Sequence, residues 1–219
     1  MFTGIVVATG SIAALASQGA DTRVRVMTGK LDLSKVHVGD SIAVTGVCLT
    51  VTACESDGCW FDVSAETLSC TTLAELAVGA RVNLEPALTL ATPLGGHLVS
   101  GHVDGIGTVR ERRSEGRSIR FTIEAPPELA KYIAAKGSIC VDGVSLTVNA
   151  VRGAVFELNI VPHTLQETTL GDYQVDQRVN LEVDLIARYL ERLLLGESAA
   201  HHPGSITRAF LAEHGFPNS

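Results

Sequence analysis

Short runs in which apolar and polar residues alternate occupy most of the chain up to Val183. The segments "VRVMTG" (24–29), "SIAVTGVCLTVTACE" (41–55) and "CWFDVSA" (59–65) are rich in β-branched residues and are punctuated by Gly, Asp and Ser at turn spacing. Such alternation is the signature of strands with one buried face. "ESDG" (55–58) lies between two of these runs, as a hairpin turn should. From Asp184 the period changes. In "DLIARYLERLLLGE" Leu185, Ile186, Tyr189, Leu190, Leu193 and Leu194 fall on one helical face, with Asp184 placed as N-cap and Gly196 as stop. The pattern therefore predicts an all-β body followed by one amphipathic helix, whose broad apolar face needs a partner surface.

The strands come in two sets. "GVCLTVTA" (46–53) is written again as "GVSLTVNA" (143–150), an offset of 97 positions. The same offset aligns Gly4, Val6 and Gly10 with Gly101, Val103 and Gly107, Thr67-Leu68 with Thr164-Leu165, and Thr71-Thr72-Leu73 with Thr168-Thr169-Leu170. "RVNLE" at 81–85 returns unchanged at 178–182. A constant offset across separate anchors means a duplicated domain. Each copy has several short strands in fewer than about 100 residues, which predicts a small closed barrel, an open sandwich being the alternative that periodicity does not separate. "PALTLATPLGGHL" (86–98), with two prolines and a Gly-Gly pair, is the expected linker. This divides the chain into 1–94, 95–183 and a C-terminal part, 184–219.

Composition narrows the function. The formal charge is −7 and no basic run is longer than Arg112-Arg113, so nothing favours a nucleic-acid partner. The N-terminus lacks a basic region followed by a long apolar stretch, and no window approaches membrane-spanning length, so a soluble cytoplasmic protein is expected. Aromatic residues are only 5% of the chain, which leaves the cores to Val, Leu, Ile and Ala. The five cysteines do not show metal-ligand spacing, and reduced thiols are expected. Cys54 and Cys59 flank the "ESDG" turn, where they could face each other across the hairpin. His201 and His202, adjacent in "HHPG", read as solvated, and Ile206 to His214 as a second short helix.

"MFTGIV" (1–6), "GVCLTV" (46–51), "GGHLVSGHVDG" (95–105), "DGVSLTV" (142–148) and "TTLG" (168–171), in that order, resemble the riboflavin synthases of the α-chain type. The resemblance runs from Met1 to about Leu195. It implies two tandem six-stranded Greek-key β-barrels that bind lumazine, followed by a C-terminal α-helix. The implied reaction is the dismutation of two 6,7-dimethyl-8-ribityllumazine molecules to riboflavin and 5-amino-6-ribitylamino-2,4-pyrimidinedione, without a metal or redox cofactor. It also implies a homotrimer held partly by the helix, with the first barrel of one subunit facing the second barrel of its neighbour. Association with lumazine synthase, which makes the substrate, stays open.

The resemblance places the ligand against Gly4, Ile5 and Val6 and against Gly101, His102 and Val103, both read as strand starts. It adds Cys48, Leu49 and Thr50 with Ser145, Leu146 and Thr147. It also adds the segment Asp62, Val63, Ser64, Ala65, Glu66, Thr67 and its counterpart Val161, Pro162, His163, Thr164, Leu165, Gln166. Hydroxyl and backbone groups suit a neutral pyrimidinedione edge and a ribityl chain. Lys136 is carried over as a group that could hold a ring carbonyl, a solvated lysine being the alternative.

A reaction between two identical molecules needs a donor that loses a proton from its 7-methyl group and an acceptor attacked at C7. The copies diverge at Ile5/His102, Gly39/Lys136, Thr45/Asp142, Cys48/Ser145 and Glu66/His163, as divided labour would require. His102 is the candidate for proton transfer. Cys48 and Ser41 are candidates on the first barrel, with burial as the plain alternative for Cys48. His97 can join His102 only if Gly95-Gly96-His97 is still linker, since an odd spacing in one strand points the two side chains apart; otherwise it orients the second barrel. Asp142 either orients His102 or Ser145, or forms a turn with Gly143. A non-catalytic lumazine or flavin carrier is the rival reading; the joint presence of Cys48, Ser41, His97, His102 and Lys136 favours the enzyme.

Overall fold

The computed structural model describes residues 1–196, so the helix expected at Ile206–His214, together with His201 and His202, lies outside the described residues. Residues Met1–Leu185 form one compact unit. Within it, β1 (Ala8–Gln18), β2 (Asp21–Met27), β3 (Ser41–Val44), β4 (Val47–Cys54), β5 (Gly58–Val63) and β6 (Arg81–Pro86) form the first barrel, with the six-residue helix α1 (Ala65–Cys70) between β5 and β6. The second repeats the plan with β7 (Gly105–Glu115), β8 (Ser118–Glu124), β9 (Ser138–Val141), β10 (Val144–Arg152), β11 (Val155–Ile160), α2 (Pro162–Glu167) and β12 (Arg178–Val183). Strands run β1-β2-β5-β4-β3-β6 around the first barrel, and the equivalent order closes the second. In β2-β5-β4-β3 a hairpin-linked trio returns to lie beside an earlier strand, which is the Greek-key arrangement.

Alternation explains the cores. Along β4, Val47, Leu49 and Val51 are buried in the first barrel. Along β10, Val144 and Val148 do the same in the second, with Leu146 packed against that core. The few aromatics serve as centres of packing: Phe61 in one barrel, Phe121, Phe156 and Tyr173 in the other.

The punctuation within 41–55 is a turn, where Thr45 and Gly46 take φ of 49° and 79°. Asp142 and Gly143 do the same at 45° and 82°. Two consecutive positive φ values make the tight turn whose twist suits an antiparallel hairpin. The segments Gly4–Val6 and Gly101–Val103 are not strand starts: both are irregular, and the strands begin at Ala8 and Gly105. Gly4 and Gly101 have φ of 74° and 80°, outside strand geometry. Their N–H groups go to carboxylates instead of to a neighbouring strand.

The segment from Ile186 forms a second unit. Helix α3 (Leu185–Leu194) follows Asp184, and Gly196 beyond it takes a left-handed φ of 53°, as a helix stop does. Tyr189, Leu190, Leu193 and Leu194 on α3 are exposed. No described helix is long and apolar enough to cross a membrane.

Candidate active site

The site is organised by a seam between the barrels with local two-fold character. Phe2 and Val99, equivalent under the 97-residue offset, exchange backbone hydrogen bonds of 2.7 and 3.1 Å. Asn83 donates through Nδ2 to the carbonyl of Asp142 and accepts from the Thr169 N–H, at 2.9 and 2.8 Å. Asn180 repeats this with Thr45 and Thr72 at 2.9 and 2.8 Å. Glu85 accepts from the N–H and hydroxyl of Thr3 and from the Gly4 N–H at 2.7–2.9 Å. Glu182 does so from Ser100 and Gly101 at 2.6–2.9 Å. Burial pushes both carboxyls up from their ordinary range, and the hydrogen bonds from each loop oppose that. These Asn and Glu side chains are the polar letters of the repeated "RVNLE". Sequence reasoning registered the repeat but not its role; the signal was the identity of two polar residues inside otherwise apolar strands.

The seam crosses the loops over. Gly4, held by the first barrel, accepts through its carbonyl from the Ser145 N–H of β10 at 2.7 Å. Gly101, held by the second, accepts from the Cys48 N–H of β4 at 2.8 Å. Val6 packs against the second core and Val103 against the first. A Cβ on Gly101 would stand 2.7 Å from that of Cys48, so only glycine allows this approach. Ile5 therefore belongs with the Ser145 face and His102 with the Cys48 face, each loop having been exchanged between copies.

On the first face, Cys48 and Thr50 alternate with the core residues of β4 and lie opposite Ala43 and Ser41 of β3. Cys48 is half-buried against Phe2, Ala43, Val99 and Cys140; Thr50 and His102 are exposed. Ser41 also lines a cleft of about 500 Å³ with Lys30, Asp32, Lys35 and Asp40. Ser64 caps α1 by accepting from the Thr67 N–H at 3.2 Å, which places Asp62, Ala65 and Glu66 exposed at the end of β5. Leu49 and Val63 send their side chains into the core, so only their backbone can face a ligand.

The second face carries Ser145 and Thr147 of β10, with Cys140 opposite Ser145. The thiol of the pair has changed strands between the copies, and Cys140 is buried where Cys48 is not. In α2, Pro162 replaces the capping serine logic of α1 by fixing the first helical φ; His163 and Gln166 are exposed, Thr164 and Leu165 half-buried, and Val161 is 52% exposed. Lys136 is exposed at a left-handed φ of 68°, on the backbone position that Gly39 occupies at 96°.

The segment Gly95–His97 is indeed non-strand, yet His97 turns to the second face. Its Nδ1 lies 2.7 Å from the Ser145 hydroxyl, its N–H donates to the Thr3 carbonyl at 3.1 Å, and it is 9% exposed. Nε2 is buried without a hydrogen-bond partner. Burial lowers the imidazole pKa, only partly opposed by Asp184, so the ring is neutral at neutral pH. Asp142 orients neither His102 nor Ser145: one oxygen accepts from Tyr173 Oη and the other from the Asn180 N–H at 2.7 Å, while its backbone forms the turn with Gly143. Burial lifts its pKa to about 7.

The lumazine binding domain model matches residues 3–87 and 100–184. Curated relatives named riboflavin synthase include one from Photobacterium phosphoreum, 49% identical over 99% of both chains. Another, from Bacillus subtilis, is 38% identical over 99% of this chain and all of the relative. The chain belongs to the riboflavin synthase family. Among solved structures, LumP complexed with riboflavin is 29% identical with a TM-score of 0.77, and LumP complexed with 6,7-dimethyl-8-(1'-D-ribityl) lumazine is 27% identical at 0.75. Each covers 84% of this chain and 99% of its own. Family membership thus agrees with a repeat that places two similar but chemically unequal faces on one chain.

Proposed function

We propose that this protein is a riboflavin synthase, a transferase that moves a four-carbon unit between two 6,7-dimethyl-8-ribityllumazine molecules to give riboflavin and 5-amino-6-ribitylamino-2,4-pyrimidinedione. The observation that carries this reading is the inequality of the two faces within a family whose relatives bear that name. One has Cys48, Thr50, Ser41 and the exposed His102; the other has Ser145, Thr147, Lys136 and the buried His97. In this reading the threonines and backbone groups at 62–67 and 161–166 hold the rings, and His102 moves the 7-methyl proton with Cys48 beside it on the same face. His97 fixes the Ser145 hydroxyl from a neutral ring, and Lys136 offers positive charge to a ring carbonyl.

The assembly that brings unlike faces together is a homotrimer of head-to-tail contacts, supported by the exposed apolar stripe of α3. The working location is the cytoplasm. No metal or cofactor is assigned a role.

The test is anaerobic incubation of purified protein with the lumazine alone, following flavin absorbance. One riboflavin for every two lumazines consumed is expected, with turnover falling at least about 100-fold in His102→Ala. Tight binding of the lumazine without riboflavin formation would replace the enzyme by a carrier.

A further inference from the structure

The β4–β5 hairpin of the first barrel carries a second piece of chemistry, away from the ligand face. Cys54 ends β4 and stands in direct register with Cys59 of β5. Their sulfurs are 2.8 Å apart, both as free thiols. The turn between them is closed by a hydrogen bond from the Glu55 N–H to the Gly58 carbonyl at 2.8 Å. The cysteines therefore occupy the adjacent non-hydrogen-bonded pair, where opposed Cα atoms are about 4.5 Å apart. That lies within the range a disulfide spans, about 4.4–6.8 Å. Arg25 bridges Glu55 and Asp57 at 2.7 and 2.8 Å, and the Trp60 indole donates to Glu55 at 3.0 Å, so the turn is held independently of the sulfurs. The matching pair in the second copy is Val151 and Phe156, again in register. The dithiol is thus a device of the first barrel alone.

We infer that Cys54 and Cys59 are a reversible redox pair, a covalent modification site that closes to a disulfide on meeting a disulfide oxidant such as oxidised glutathione. The steps follow from exposure. Cys54 is half-exposed and Cys59 is buried, with its thiol pushed up to about 12 by burial and by the hydrogen bond with Cys54. The Cys54 thiolate attacks one sulfur of the oxidant, forming a mixed disulfide and releasing one glutathione thiol. Cys59 then attacks the Cys54 sulfur, its proton passing to the second departing glutathione. Two electrons and two protons leave the protein and reduce one glutathione disulfide to two thiols. Closure covalently joins β4, which carries Cys48 and Thr50, to β5, which leads into Asp62–Thr67.

The experiment uses the folded, full-length protein and oxidised glutathione, with thiols counted after quenching and unfolding. Cys54 and Cys59 should both be lost from the five thiols, apart from any glutathione adduct on the exposed Cys70, and return with a dithiol reductant. Cleavage on the N-terminal side of Asp57 cuts the hairpin between the two cysteines, so the fragments should stay joined until reduced. Cys54→Ser, at a half-exposed position, should abolish the joined fragments. Persistence of five thiols, a stable glutathione adduct on Cys54 with Cys59 free, or joined fragments that survive in Cys54→Ser would each overturn the inference.

Discussion

On the proposed reading single residues set the chemistry of this scaffold, and Lys136 offers a direct test. Its backbone is held at a left-handed φ by a hydrogen bond from its N–H to the Val148 carbonyl at 2.8 Å, where the first copy uses Gly39. A non-glycine residue in that region costs about 1–2 kcal/mol. Lys136→Gly should therefore raise stability by up to about 1 kcal/mol in urea unfolding while lowering riboflavin formation. Loss of neither strain nor turnover would leave Lys136 as a solvated surface residue. Asp142 supplies a pH dependence of its own. Its folded pKa of about 7 lies above the ordinary 3.8, so the stabilising form is the protonated one. That contribution is complete below about pH 4 and is lost as pH rises towards 7. Burial moves Glu85 and Glu182 in the same direction. Denaturation midpoints should fall between pH 4 and 7, and Asp142→Asn should flatten the profile; an unchanged slope in that variant would remove Asp142 as its source.

At the scale of elements, the crossed loops are what the strands are arranged to hold. Asn83 and Asn180 are each 1% exposed and serve both a donor and an acceptor on the opposite barrel. Replacing either by alanine strands two backbone groups in the seam, a cost of about 2–3 kcal/mol, and the two variants should lose similar stability because the contacts repeat. A negligible loss in either would mean that water replaces those bonds. The strands, the turn at 55–58 and the helix after Asp184 were legible from apolar spacing and from the repeat, since both report on which faces are buried; the closed Greek-key form of the barrels, which spacing does not separate from an open sandwich, was implied by the family resemblance. The loop exchange was not. Alternation says which side of β4 carries Cys48, but not that Gly101 of the other copy docks on it. That pairing is set by Glu182, which holds Gly101, and by Asn180, which holds the Thr45 turn before β4, both at long sequence separation. The position of His97 was hidden for the same reason, its partner Ser145 lying 48 residues away. Asp142 looked like catalytic divergence from Thr45, whereas Tyr173, where the first copy has Leu76, occupies its carboxylate.

At the scale of the whole molecule, duplication gives two related faces and divergence makes them unequal; on the proposed reading, catalysis needs one of each to meet. The central claim is that a productive centre combines the Cys48 face of one chain with the Lys136 face of another. The measurement is riboflavin formation after reassociating two variants, Cys48→Ala and Lys136→Ala, each strongly impaired alone. Mixed assemblies contain some centres with both intact faces, so activity well above the sum of the separate variants is expected. Activity equal to that sum, from assemblies shown to contain both chains, would contradict the account.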